Sequence, residues 1–196
     1  MVATPSLMQH DPAPIRVYHG SDVAIEQPDV TRNTGFADLG QGFYLTDDHD
    51  AACGRARTRA RRMGAKAGVV SVFDLDTTQV PWVTWGAEGS EAPQAGLAAE
   101  VPFGLRFDES RQGIAAWATY IASCRRGNRA VPGVGEPAIV RAWIATEEVE
   151  MLYAGFATAD ELAELLNPSE LVVQYCLRDQ GVLDCVLTFV GAEHVS

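Results

Sequence analysis

Lysine is nearly missing from this chain: of 15 basic residues only Lys66 is a lysine, and the rest are arginines. Against 26 acidic residues they leave a formal charge of -11. Such a balance argues against a protein held on nucleic acid by general electrostatics. No apolar run is long enough to span a bilayer, so no membrane association is expected. CxxC pairs are also missing. Cys53, Cys124, Cys176 and Cys185 are scattered, a spacing poor for zinc or for a disulfide framework. Buried free thiols in a reducing cytoplasm are the expectation, and no metal site is expected. The opening MVATPSLMQHDPAP has no basic segment leading into an apolar one, so it does not read as a secretory signal. Neither GxGxxG nor a P-loop occurs, which removes the two commonest nucleotide-binding motifs.

What is there suits an ordinary globular domain. The hydrophobic fraction is 47% and the charged fraction 21% over 196 residues, enough for one domain with a real core. A flexible tail is expected over 1–13 and a single domain over 14–194. The Gly-, Ala-, Pro- and Glu-rich stretch near 84–104 reads as a loop-rich insertion. Ile15–His19 alternates and reads as a first strand stopped at Gly20-Ser21. Residues 42–46 read as a second strand, and Thr46 or Asp47 as the cap of a helix over 47–63. That helix carries Arg55, Arg57, Arg59, Arg61 and Arg62 spread around its surface. A solvated face is favoured for them over a phosphate or RNA patch.

Further along, Gly68–Leu75 is a β-branched strand. Ile114, Trp117, Ala118 and Ile121 fall at helical spacing within 109–124. Residues 138–144 read as a strand, and Thr158 with Glu161 forms a capping-box pattern. Leu171–Leu177 and Cys185–Val190 read as strands, with Asp179-Gln180-Gly181 a candidate turn between them, so a late hairpin is expected. Irregular interleaving favours α+β with a mixed, split sheet over a doubly wound fold.

The polar residues on predicted strands are the candidates for chemistry. They are His19 at the end of the first, Tyr44 within the second and Gln174 within a late apolar strand. Gln174 stands out, because burying an amide without partners costs roughly 1–3 kcal/mol. Gly35, Gly40 and Gly42 precede Tyr44, and glycine permits a close approach of backbone or ligand.

Val17-Tyr18-His19-Gly20-Ser21, then Asp38-Leu39-Gly40-Gln41-Gly42-Phe43-Tyr44-Leu45-Thr46, then Val173-Gln174-Tyr175 together resemble the ADP-ribosyltransferase superfamily. More closely they resemble the bacterial domain of unknown function 3990 family, as a His-Tyr-Gln variant of the His-Tyr-Glu type. The resemblance implies a split mixed or antiparallel sheet, flanked by helices, holding NAD in a cleft. NAD would be the substrate. His19 would bond the adenosine-side ribose, the Gly20 backbone the nicotinamide carboxamide, and Tyr44 would stack on the nicotinamide ring. Gln174 would contact the nicotinamide ribose and Arg32 the pyrophosphate. Ser21, Gly42 and Phe43 complete the implied NAD-binding set.

The implied activity is NAD-dependent mono-ADP-ribosylation of a protein or nucleic acid, in the manner of a bacterial toxin with a neutralising antitoxin protein. Gln174 departs from the glutamate of the His-Tyr-Glu transferases: it keeps hydrogen bonding and loses the charge, although the resemblance to the closer family implies that glutamine is usual there. Glu170 stands roughly 13 Å away in an extended strand and is no substitute without a bulge. The alternative is a catalytically weak module that binds NAD or ADP-ribose. An RNA 2′-phosphotransferase shares the implied fold but needs a basic cleft, which this acidic chain offers only at Arg55–Arg62.

Overall fold

A computed structural model describes residues 14–32, 37–86, 101–132 and 134–196. The expected tail and most of the expected insertion lie outside the described residues, as does Gly35. The elements run β1 (Ile15–Ser21), β2 (Phe43–Thr46), α1 (His49–Met63), β3 (Gly68–Leu75), β4 (Trp82–Trp85) and β5 (Gly104–Phe107). They continue α2 (Arg111–Arg125), β6 (Ile139–Trp143), α3 (Glu147–Tyr153), α4 (Ala159–Leu165), β7 (Val173–Leu177), α5 (Gln180–Val186) and β8 (Leu187–Val195). The fold is α+β with one mixed sheet, ordered β4-β5-β6-β7-β2-β1-β3-β8. β4, β5 and β6 run parallel to one another, while the remaining pairs are antiparallel.

The pairing is uneven. β1 meets β3 along its whole length, from Ile15 opposite Leu75 to Ser21 opposite Val69. It meets β2 at one position only, Tyr18 opposite Thr46. The strands form one continuous mixed sheet rather than the split sheet expected, and the β1–β2 junction is its narrowest pairing, a neck.

Each face of the sheet has its own core, because successive strand residues point to opposite sides. On one face α2 sets Trp117, Tyr120 and Ile121 against Leu105, Val140 and Cys176. The residues expected at helical spacing, Ile114, Trp117, Ala118 and Ile121, are all buried. On the same face α1 covers β1 and β3 with a stripe of small residues, Ala52, Ala56 and Ala60, over Val70 and Val72. The other face joins Val17, Phe43, Leu45, Phe73, Tyr175 and Leu177 to Leu183 and Val186 of α5.

Several boundaries differ from the sequence reading. β1 continues through Gly20-Ser21, because β3 pairs with it to the end. α1 begins at His49, since Asp48, not Thr46 or Asp47, accepts the Ala51 N–H in its first turn. The expected late hairpin does not form. Asp179 caps α5 through the Val182 N–H, and α5 carries the chain across to β3 at the far edge, where β8 pairs. β4 and β5 fall at the two ends of the stretch read as loop. Of the four thiols, Cys185 is exposed and the other three are buried; none is paired.

Gly20 shows how tightly α1 sits. A β-carbon there would lie 2.1 Å from the Ala52 carbonyl oxygen and 2.8 Å from the Ala56 nitrogen. Gly20→Ala must lift the helix, and overpacking of this kind costs about 1–3 kcal/mol. Urea unfolding should show that loss, with α1 the first region to lose amide protection.

Candidate functional site

The neck is where the candidate residues meet. Past Tyr18 and Thr46 the β1–β2 ladder stops, and a side chain takes over. His19 Nδ1 lies 2.7 Å from the Tyr44 carbonyl oxygen. A carbonyl only accepts, so Nδ1 carries the proton and, in the neutral ring, Nε2 is an acceptor. The imidazole stacks on Phe43 with ring centroids 4.5 Å apart. Burial lowers its pKa from the ordinary value; the Tyr44 carbonyl opposes that shift, while Arg55 and Arg59 reinforce it. The ring is therefore held neutral.

Tyr44 and Gln174 are on the opposite face from His19 and Phe43. Tyr44 faces with Cys176, opposite it on β7, and Thr46 faces with Gln174. The backbone thus draws His19, Tyr44 and Gln174 to one neck, but their side chains do not share a side of it. The Tyr44 hydroxyl donates to the Gly40 carbonyl at 2.6 Å and accepts the Leu39 N–H at 3.0 Å. Burial raises its pKa, so it stays a phenol. Tyr44 is a strut of its own loop. Gln174 is 6% exposed, and its Nε2 donates to the Trp143 carbonyl at 2.9 Å. Thr46 links the two strands by donating to the Val173 carbonyl at 2.7 Å.

The remaining expected residues scatter around this centre. Ser21 is buried and donates to Asp22 Oδ1 at 3.3 Å. Gly42 gives its space to β7, since a β-carbon there would meet Cys176 Sγ at 2.6 Å. Arg32 is exposed and lines an open cleft of about 910 Å³ with Glu26, Asp29, Gln180 and Asp184. His19, Tyr44 and Gln174 do not line that cleft. Glu170 lies in a 3-10 turn, bonded by the Asn167 amide, and is not on β7.

Three arginines hold the loop before β2; of these, Arg129 and Arg178 were not singled out from the sequence. Arg125 reaches Asp38 at 2.7 Å and Glu150 at 2.8 Å. Arg129 Nη1 donates to the Gln41 carbonyl at 3.4 Å. Arg178, directly after β7, donates to the Leu39 carbonyl, to the Tyr120 hydroxyl at 2.8 Å and to the Arg129 carbonyl at 3.2 Å. The signal available for Arg178 was its place directly after the apolar Tyr175-Cys176-Leu177, where a charge needs partners.

Residues 15–84 match the family model described as protein of unknown function, DUF3990. That span contains His19, Gly20, Ser21, Arg32, Gly42, Phe43 and Tyr44, and supports the likeness to DUF3990 read from their pattern. Gln174 lies beyond it. No curated protein and no solved structure matches the chain.

Two outcomes follow from the site's chemistry. Tyr44→Phe keeps the ring but leaves the Leu39 N–H and Gly40 carbonyl without that partner, at about 1–3 kcal/mol; thermal and urea melts should both register it. His19 binds its proton more weakly folded than unfolded, where its pKa is near 6.5. Its contribution is fully present above that value and is lost as pH falls toward the folded pKa. A His19→Gln variant should therefore show a flatter fall of stability below pH ~6.5 than the parent.

Proposed function

We propose that the chain binds NAD at the neck between β1 and β2 and breaks its nicotinamide–ribose bond, passing ADP-ribose to a protein or nucleic-acid acceptor. The observation that carries this reading is the fixed tautomer of His19. Its Nδ1–H is spent on the Tyr44 carbonyl, which leaves Nε2 to accept a hydrogen bond from a ribose hydroxyl. Beside it, the β1 edge at Gly20 and the β2 edge at Phe43–Leu45 form no ladder with each other, so backbone groups are available for a carboxamide. Gln174, one strand over and opposite Thr46, is held by the Trp143 carbonyl on the other face from His19 and would act by bracing the neck rather than by touching the ribose. Tyr44 acts through its loop, as a positioning residue rather than as a stacking platform.

In the reaction, the bond from ribose C1′ to the nicotinamide nitrogen breaks and its electron pair goes to the ring, which leaves as neutral nicotinamide. The ribosyl carbon develops oxocarbenium character and is captured by a nucleophile of the acceptor, which loses its proton to solvent or base. Bonds that hold the ribose hydroxyls strengthen as that charge develops, which is the condition for lowering the barrier.

A second reading is favoured by one observation. Gln174 carries no charge and commits an amide hydrogen to Trp143, so the late strand supplies no carboxylate to the developing cation. The same neck would then bind NAD or ADP-ribose reversibly without turnover. Nicotinamide release and calorimetry on the purified chain separate the two. The transferase reading expects release from NAD, cut by about 10²-fold in His19→Ala and in Gln174→Ala. Saturable NAD binding without release selects the binding module. Neither binding nor release, in folded protein, removes both.

A further inference from the structure

We infer that the groove between residues 24–32 and α5 is the acceptor site, and that it takes a protein segment presenting arginine or lysine; the acceptor role rests on the NAD reading above. The groove opens on the His19 face of the sheet. Leu183 of α5 and Val30 belong to the core that holds Phe43 and Phe73, and Ile25 packs against it. His19 stacks on that same Phe43. The wider hollow, about 910 Å³, lies between residues 26–32 and α5. A second, about 460 Å³, shares Glu26, Gln27 and Arg32 with it and runs on to Ala24 and Ile25. There the wall is tied to the sheet beside the neck. The Ile25 N–H donates to Ser71 Oγ at 2.8 Å, and Ser71 stands opposite His19 in the β1–β3 register. The two hollows thus lead from α5 toward the strand pair that carries the imidazole.

The walls of the groove are fixed in advance. Gln180 fastens the segment to α5: its Oε1 accepts the Val30 N–H at 3.1 Å, and its Nε2 donates to the Pro28 carbonyl at 3.2 Å and to Asp184 Oδ1 at 2.8 Å. A pre-formed cleft loses little freedom when it is filled. Its lining has two kinds of surface. Pro28, Leu183 and Leu187 form an apolar strip, while Glu26, Asp29 and Asp184 set three carboxylates around it against the one guanidinium of Arg32. The bonds that Asp29 and Asp184 accept within the fold fall on Oδ1, from Thr31 and from Gln180. Oδ2 of each is left to accept, and among the described residues Glu26 makes no hydrogen bond or ion pair. A long basic side chain matches both surfaces. Its methylenes lie along the apolar strip and its cationic head meets the carboxylates through charge-assisted bonds. The same surplus of negative charge opposes the phosphates of a nucleic-acid acceptor, and equally a pyrophosphate at Arg32.

Fluorescence anisotropy of the full chain with labelled probes tests the groove. The probes are a short peptide repeating glycine, arginine and lysine, a glycine–aspartate repeat of the same length, and a single-stranded RNA of similar length. The basic peptide should bind saturably and the other two should not. Glu26→Gln combined with Asp184→Asn, both at exposed side chains, should weaken it by about tenfold or more, as loss of charge-assisted contacts requires. Glu147→Gln combined with Asp160→Asn removes the same charge from α3 and α4 and should change binding by less than about twofold, as expected for exposed, screened charges. Equal losses in the two double variants would reduce the effect to net charge and overturn the site. Peptide binding that survives Glu26→Gln with Asp184→Asn overturns it as well, and so does RNA bound in place of the basic peptide. Nicotinamide release from NAD by the parent chain, measured without peptide, judges the NAD reading separately. NAD release without peptide binding removes the groove and keeps that reading. Peptide held through Glu26 and Asp184, with neither NAD binding nor release, keeps a site for basic segments and removes its role as acceptor site.

Discussion

The sheet is joined at its middle by a side chain. On one side, β1, β3 and β8 pair along their lengths and carry α1. On the other, β2, β7 and β6 pair residue by residue. Between the two groups stands one backbone position and the bond from His19 to the Tyr44 carbonyl. A buried carbonyl without a partner is costly, so a donor has to be found where the ladder ends. Histidine supplies that donor with one nitrogen and keeps a second for something else. The neck is therefore closed against unfolding and still chemically open, and both properties belong to one ring.

The described stretch that feeds the neck, Asp38 to Gln41, is built on the opposite plan, held by several side chains. Asp38, the Leu39 carbonyl and the Gln41 carbonyl each meet a different arginine, and the Tyr44 hydroxyl ties down the Leu39 N–H and the Gly40 carbonyl. Guanidinium suits this work because it presents five donors in a rigid plane and cannot lose its charge. A chain that is acidic overall and almost without lysine thus spends several arginines on its interior carbonyls. The buried thiols nearby respond to the same arrangement. Burial pushes the Cys124 and Cys176 thiols up, and Arg178 pulls them back.

Much of this was legible from local pattern, and the failures have a common cause. The helical spacing of Ile114, Trp117, Ala118 and Ile121 identified a buried face, and Thr158 with Glu161 identified a helix start, because both signals lie within a few residues. The α+β class and mixed sheet followed from element order. The hairpin expected at Asp179-Gln180-Gly181 failed because the same residues cap helices, and a partner strand far earlier in the chain, β3, decided between the two. At the site, residue types were readable and facing was not. His19, Tyr44 and Gln174 looked like a set in sequence. Strand parity puts one of them on the other side of the sheet, and parity across a neck with one paired position is a property of the assembled fold.

The placement of β7 has a consequence for how the chain can be divided. β2 belongs to the segment recognisable by family likeness, 15–84, yet its principal neighbour is Val173–Leu177. A fragment cut at that likeness would carry β2 with a bare row of backbone donors and acceptors, and with Phe43 and Leu45 uncovered beside it. Such an edge is a template for pairing with other chains. The part of the molecule that can be recognised is thus not a part that can be isolated, because its β2 edge is covered by a strand that comes after the recognised segment has ended.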